Sequence, residues 1–205
     1  MDIQTTKEKE LVWIQILYLY ILPILLLYYK VIPGNMRLFM LFSITLVQLG
    51  IIHRAKWTFR DVGIFGDFLK DWKVYTLFTL CGVLFLYYFN YIFPHEPFDG
   101  WYKNTKFLLF FIPISIVQEV VFRGVLMNML KKAFNNKFFI ILLNASIFAL
   151  IHIIYLHASF ILPLTFIGGI AFSWIYYKYP NLILVSISHC ILNFMAMILG
   201  FFTLR

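Results

Sequence analysis

The sequence predicts an all-α fold: a polytopic membrane helical bundle of about seven transmembrane helices plus an interfacial segment. Three observations predict it. Of the 205 residues, 62% are hydrophobic and only 13% are charged, too apolar a balance for a soluble domain. The apolar residues come in runs of about 20, the length a helix needs to cross a hydrocarbon layer about 30 Å thick. They do not alternate with polar residues, as the strands of an outer-membrane barrel would.

The runs can be taken in order. The first covers 11–29, and Pro33-Gly34-Asn35 turn it into a shorter second at 38–52. Residues 53–73 mix Trp57, Phe59, Phe65, Phe68 and Trp72 with Arg54, Lys56, Arg60, Asp61, Lys70 and Lys73. Rings interleaved with cations suit the headgroup layer, so this is the interfacial segment, read as an amphipathic connector. A third span at 74–93 ends in a loop with Pro94, Pro97 and Gly100. The fourth, 107–130, contains Pro113, whose ring is expected to kink the helix. The fifth (138–156), sixth (160–177, with Pro163 and Gly168-Gly169) and seventh (182–199, after Pro180-Asn181) complete the bundle. No linker or repeat divides the chain, so residues 1–205 form a single membrane domain.

Charge sets the orientation. The N-terminal segment, the 53–73 segment, the 131–137 loop and Lys178 carry 11 Lys and Arg residues, against 5 on the opposite face. The positive-inside rule therefore places the N-terminus in the cytoplasm and Arg205 outside, in a multi-pass protein of a cell membrane. A net charge of +8 serves this topology and not nucleic-acid binding, because no basic patch interleaves with aromatics away from the span flanks. Cys81 and Cys190 lie in apolar runs, with neither metal spacing nor a disulfide framework. No small-residue cleavage site follows the first apolar run, so that span is expected in the mature protein.

The fourth span holds the chain's most costly residues. Glu119 and Arg123 stand inside an apolar stretch, where a central charge costs about 2.5–3.5 kcal/mol on the insertion scale. Four residues apart on a helix, they share a face and can pair, while Gln118 points about 100° away. His152 follows Phe148 by four residues, and Asn193 follows His189 by four, on two further spans. Helical rise places Gln118, His152, His189 and Asn193 about 10–21 Å above the cytoplasmic helix ends, so they can converge near mid-bilayer. Such a set offers a base, proton carriers and oxyanion donors, and it would equally serve a proton relay. Asn144, Ser146, Ser186 and Gln48 are read as interhelical glue.

These residues carry a resemblance. QEVVFRG at 118–124, FALIH at 148–152 and HCILN at 189–193 match, in order and spacing, the EExxxR, FxxxH and HxxxN pattern of the CPBP family of intramembrane proteases. That family is related to the CAAX prenyl-protein endopeptidases and bacterial Abi proteins, and the resemblance covers about 107–200. It implies an intramembrane endopeptidase with a site built from Gln118, Glu119, Arg123, His152, His189 and Asn193. In the family's glutamate-and-histidine mechanism, the first Glu and His152 activate water, while His189 and Asn193 hold the oxyanion. The substrate class implied is a membrane-associated peptide or protein precursor, of the pheromone, bacteriocin or leader-peptide kind.

One position departs from the pattern: Gln118 stands where the family has its first Glu. A carboxamide keeps the size of the carboxylate but takes no proton from water. Two explanations compete, a carboxylate silenced by engineering to give an inactive variant and a natural chain lacking its base. The second would suit an immunity or scaffold protein. A small proton-coupled transporter is a further alternative, which the lack of inverted repeats disfavours. The expected mechanism uses no cofactor; were zinc employed, His152, His189 and Glu119 would be its ligands. A cavity lined by the helices of Gln118, His152 and His189, open toward the cytoplasm, is expected to admit the substrate.

Overall fold

The computed structural model describes residues 3–202, with side chains from Thr6 onward; Arg205, expected on the outer face, lies outside the described residues. The chain is helical, and no strand occurs among the described residues. Helix α1 (Ile3–Ile16) runs through a π-helical turn (Leu17–Ile21) into α2 (Leu22–Tyr28). Pro23 explains the turn: it cannot donate to the carbonyl of Leu19 and its ring crowds that group, so the helix widens just before it. Helices α3 (Arg37–Arg54) and α4 (Trp72–Ile92) follow. Helix α5 (Thr105–Glu119) passes through a second π-helical turn (Val120–Leu126) into α6 (Met127–Ala133). Helix α7 (Lys137–Leu150) ends in a 3₁₀ turn (Ile151–Ile154), and α8 (Ala158–Lys178) and α9 (Leu182–Ile198) close the chain.

Asparagine starts three of these helices. The side-chain oxygens of Asn104, Asn136 and Asn181 accept backbone N–H groups in the first turns of α5, α7 and α9. Each satisfies donors that the helix itself leaves free.

Six continuous helical segments are long and apolar enough to cross a bilayer: Thr6–Tyr28, Gly34–Arg54, Trp72–Ile92, Thr105–Ala133, Lys137–Ile154 and Ala158–Lys178. Helix α9 is the seventh unit, apolar but only 17 residues long. At about 1.5 Å per residue it reaches roughly 25 Å, and it packs between α4 and α5. Pro113 does not end α5. Regular helix continues to Glu119, and the departure from α geometry falls after it, at 120–126.

Close approach of backbones holds the most extensive pair together. A Cβ on Gly169 of α8 would sit 3.1 Å from Cα of Ala145 on α7, so any larger residue would push the two backbones apart by a few tenths of an ångström. Small residues at a helix interface are how membrane helices pack without a hydrophobic drive between them. The main core cluster includes Phe122, Leu126, Leu130, Ile140, Phe148, Tyr176 and Val185, contributed by the π-turn and by α6 to α9. Helix α4 gives that cluster Tyr75, while Phe39, Leu46, Leu77, Leu84 and Tyr91 on α3 and α4 are exposed as lipid contacts would be.

The segment at 55–71 joins α3 to α4. It is a series of turns, and its backbone is fastened inward onto the bundle. Asn128 donates to the carbonyls of Asp61 and Gly124, Tyr176 Oη donates to Val62 O at 2.9 Å, Leu182 N–H donates to Gly63 O at 2.7 Å, and Asn181 donates to Phe68 O at 2.6 Å. The Thr58 amide and hydroxyl bond Asp61 and hold its carboxyl below the usual carboxylate range. Phe59, Leu69 and Trp72 point outward, so part of the expected headgroup-facing surface survives. The inward turn depends on Gly63, at φ +78°, where a Cβ would lie 2.5 Å from Tyr176 Oη. Gly63→Ala should therefore lose about 1–3 kcal/mol from the left-handed backbone alone, and more where Tyr176 must release Val62. A thermal melt in detergent no different from the parent would show that the clasp contributes nothing.

Candidate active site

The site grows from the antiparallel pairing of α5 and α9. Ser115 and Glu119 stand four apart on α5, and His189 and Asn193 stand four apart on α9, so each pair presents one helix face. The antiparallel run matches them as two rungs. Asn193 Nδ2 donates to Ser115 Oγ at 2.8 Å, and His189 Nδ1 lies 2.5 Å from Glu119 Oε1. The same carboxylate oxygen accepts from Arg123 Nη1 at 3.0 Å. Glu119 and Arg123 are fully buried, and His189 nearly so.

Glu119 immediately precedes the second π-helical turn and Arg123 sits in its middle, a local geometry frequent at functional sites. A π-turn displaces carbonyls from the regular ladder, and neighbouring elements accept the consequence. Tyr20 Oη donates to Val121 O at 3.0 Å, and Asn144 Nδ2 donates to Phe122 O at 2.8 Å. Asn144 in turn accepts from Ser173 Oγ at 2.8 Å, tying α7, α8 and the π-turn together. The first π-helical turn, between α1 and α2, thus reaches the site through Tyr20, although its own sequence shows no chemistry.

His152 lies in the 3₁₀ turn after α7. Its Nδ1 is 3.0 Å from Phe148 O; because a carbonyl only accepts, Nδ1 carries the proton, and Nε2 of the neutral ring is left as an acceptor. The Phe148 ring contacts three site groups: the His152 ring at 5.2 Å, the His189 ring at 5.8 Å and the Arg123 guanidinium at 4.4 Å. Phe172 adds a second face to Arg123 at 5.3 Å and packs on His189 at 5.2 Å. The guanidinium is thus held by two aromatic rings and one carboxylate. Tyr155 and Phe202 stack against the outer side of His152.

The expected convergence is therefore realised in part. Glu119, Arg123 and His189 are directly bonded, Asn193 joins them through Ser115, and His152 is linked through the ring of Phe148. Gln118 is half-buried on α5 and hydrogen-bonds none of the described residues, so nothing ties it to His152. Ser115 and Asn144 are the residues that sequence reasoning passed over as site components. The spacing carried a signal for both: Ser115 is four before Glu119, and Asn144, Phe148 and His152 recur every fourth residue.

The zinc set does not assemble. No three His, Cys, Asp or Glu groups gather as ligands among the described residues, and the Glu119 oxygen facing His189 Nδ1 also holds Arg123. Two cavities of about 430 Å³ are lined away from these residues, one by residues including Lys131 and Tyr177 and the other by residues including Glu8, Trp57 and Lys132. Aromatic rings border both imidazoles.

Residues 101–195 match the family model of type II CAAX prenyl endopeptidases, Rce1-like. The matched region, a little under half of the chain, is similar to that CAAX protease family. The match begins in the turn before α5 and ends two residues beyond Asn193, enclosing all three motif helices. Neither the curated proteins nor the solved structures gave a significant match. With its apolar helices, the chain is a multi-pass membrane protein with an Rce1-like protease region.

Proposed function

We propose that this chain is an intramembrane endopeptidase of glutamate-and-histidine type, with its core at 107–200, present in a form whose general base is replaced by Gln118. The observation that carries the reading is the α5–α9 ladder, which sets His189 and Asn193 side by side on one helix face, backed by Glu119. Glu119 against Nδ1 fixes the ring with its Nε2 edge facing away from the carboxylate, the edge whose N–H serves as a donor in the proposed mechanism. Asn193 supplies a second N–H, and together they suit an oxyanion formed at a scissile carbonyl. His152, with Nδ1–H committed to Phe148 O, presents Nε2 as the proton acceptor for water. The missing element is the carboxylate at 118 that would share that proton.

The substrate proposed is a membrane-associated peptide precursor of the pheromone, bacteriocin or leader type, cleaved in a bacterial cell membrane by a protein whose N-terminus is cytoplasmic. Only an unfolded, extended segment can present its backbone at this depth. Two origins of Gln118 fit the same chemistry. A glutamate codon in the native gene identifies an engineered, silenced enzyme, and a glutamine codon identifies a chain kept as an immunity or scaffold protein.

The Gln118 form suits a trapping test. A photocrosslinking residue at Ile114, one turn before Gln118 on the same face, should capture a specific co-expressed precursor peptide. Intact proton flux through reconstituted vesicles with no captured peptide would overturn the protease reading in favour of transport.

A further inference from the structure

We infer that Ser115 is a positioning residue for Asn193, fixing which edge of its amide faces the reaction centre. This rests on the proposed role of Asn193 as an oxyanion donor. Ser115 is fully buried within a membrane helix, a place where a hydroxyl needs partners. Its single hydrogen is used locally, donating to Phe111 O at 2.7 Å. Toward α9 the oxygen can then only accept, and what it accepts is an N–H of Asn193 at 2.8 Å.

That asymmetry decides the orientation of the amide. An asparagine side chain offers an oxygen on one side and an NH₂ on the other, nearly equal in shape. A hydroxyl free to rotate would tolerate either. A hydroxyl already committed to the Phe111 carbonyl tolerates the NH₂ alone, because the Asn193 oxygen would face it without a hydrogen between them. One N–H of Asn193 is anchored on Ser115, and its second N–H is held in a defined direction for a developing oxyanion. The opposite flip would present the carbonyl oxygen to that charge.

The anchor also shares its helix face with the other rung. Ser115 and Glu119 are one turn apart on α5, as Asn193 and His189 are on α9, so the hydroxyl and the carboxylate set the two donors in common register. Aromatic packing keeps this pairing dry: the rings of Phe107 and Phe111 stack on Phe194, the residue after Asn193, at 6.1 and 5.5 Å.

The test compares isosteres. In the Gln118→Glu background, Ser115→Val removes the hydroxyl and Ser115→Thr keeps it, with nearly the same volume. Ser115→Val should lower kcat on the order of 10- to 100-fold with little change in KM, as a misplaced donor does, and Ser115→Thr should restore most of it. Adding Ser115→Val to Asn193→Ala should cost nothing beyond Asn193→Ala alone. Equal kcat for the Thr and Val variants, with Asn193→Ala inactive, overturns the inference while leaving the oxyanion reading intact. A second readout does not depend on activity. The Asn193 side-chain amide resonance in ¹⁵N-labelled protein in detergent, assigned by its loss in Asn193→Asp, should shift in Ser115→Val and stay near its place in Ser115→Thr. An unmoved resonance sinks the contact itself; a moved resonance with Asn193→Ala fully active upholds the contact and sinks the oxyanion role.

Discussion

Gln118→Glu should raise the rate of peptide hydrolysis by about 10²–10⁴-fold, the usual contribution of a positioned general base. The substitution changes one atom and leaves the packing of α5 unaltered, so the gain reports chemistry and not folding. Its surroundings are prepared for a carboxylate. Glu119 is paired with Arg123, and the same carboxylate oxygen holds His189 Nδ1. The Gln118 side chain has no hydrogen bond to give up. In the Glu form, His152→Ala and His189→Ala should each return activity to the background, since one removes the acceptor for water's proton and the other an oxyanion donor. Equal rates for the Gln and Glu forms, measured on a captured precursor, would remove position 118 from the mechanism.

The largest loss of stability should come from Glu119→Ala. It leaves the Arg123 guanidinium fully buried with no counter-charge, and breaking one side of a buried pair costs about 3–5 kcal/mol. The two aromatic rings over Arg123 recover part of this, and His189 loses its anchor at the same time. Removing both charges should be gentler: Glu119→Ala with Arg123→Leu should melt above Glu119→Ala alone, although both lack activity. Thermal unfolding in detergent, followed by helical circular dichroism, measures each. A Glu119→Ala melt equal to the parent would show that the pair is not what holds this part of the bundle.

Much of the bundle could be read from residue order, because a helix that must satisfy its own backbone in lipid leaves a long apolar run as its trace. All seven runs reappear as helices within a few residues. The motif spacing also carried over, since i and i+4 share a face in any α-helix, which is why Glu119 meets Arg123. Three things were not legible. The π-turn at 120–126 depends on Tyr20 and Asn144 catching its carbonyls from other helices, and no local pattern announces that. The antiparallel matching of 115 with 193 and 119 with 189 requires knowing which helices are neighbours. The composition of residues 53–73 fits a headgroup layer, and its exposed rings agree. What pulls its backbone inward are side chains on α6, on α8 and before α9, distant in sequence.

The clasp on residues 61–68 has a consequence for the order in which the protein is made. Val62 and Phe68 are gripped by Tyr176 and Asn181, partners 114 and 113 residues further along. Helix pairs near the N-terminus can enter the membrane while the ribosome is still at work. At about 5–20 residues per second, though, the turn between α3 and α4 waits on the order of ten seconds for the residues that fasten it. During that interval its open carbonyls and the Arg60–Lys73 cations stand at the membrane surface. A chain halted before Asn181 never closes it, so nascent chains stopped at 175 should be cut by added protease within 58–70, while chains extended past 198 resist.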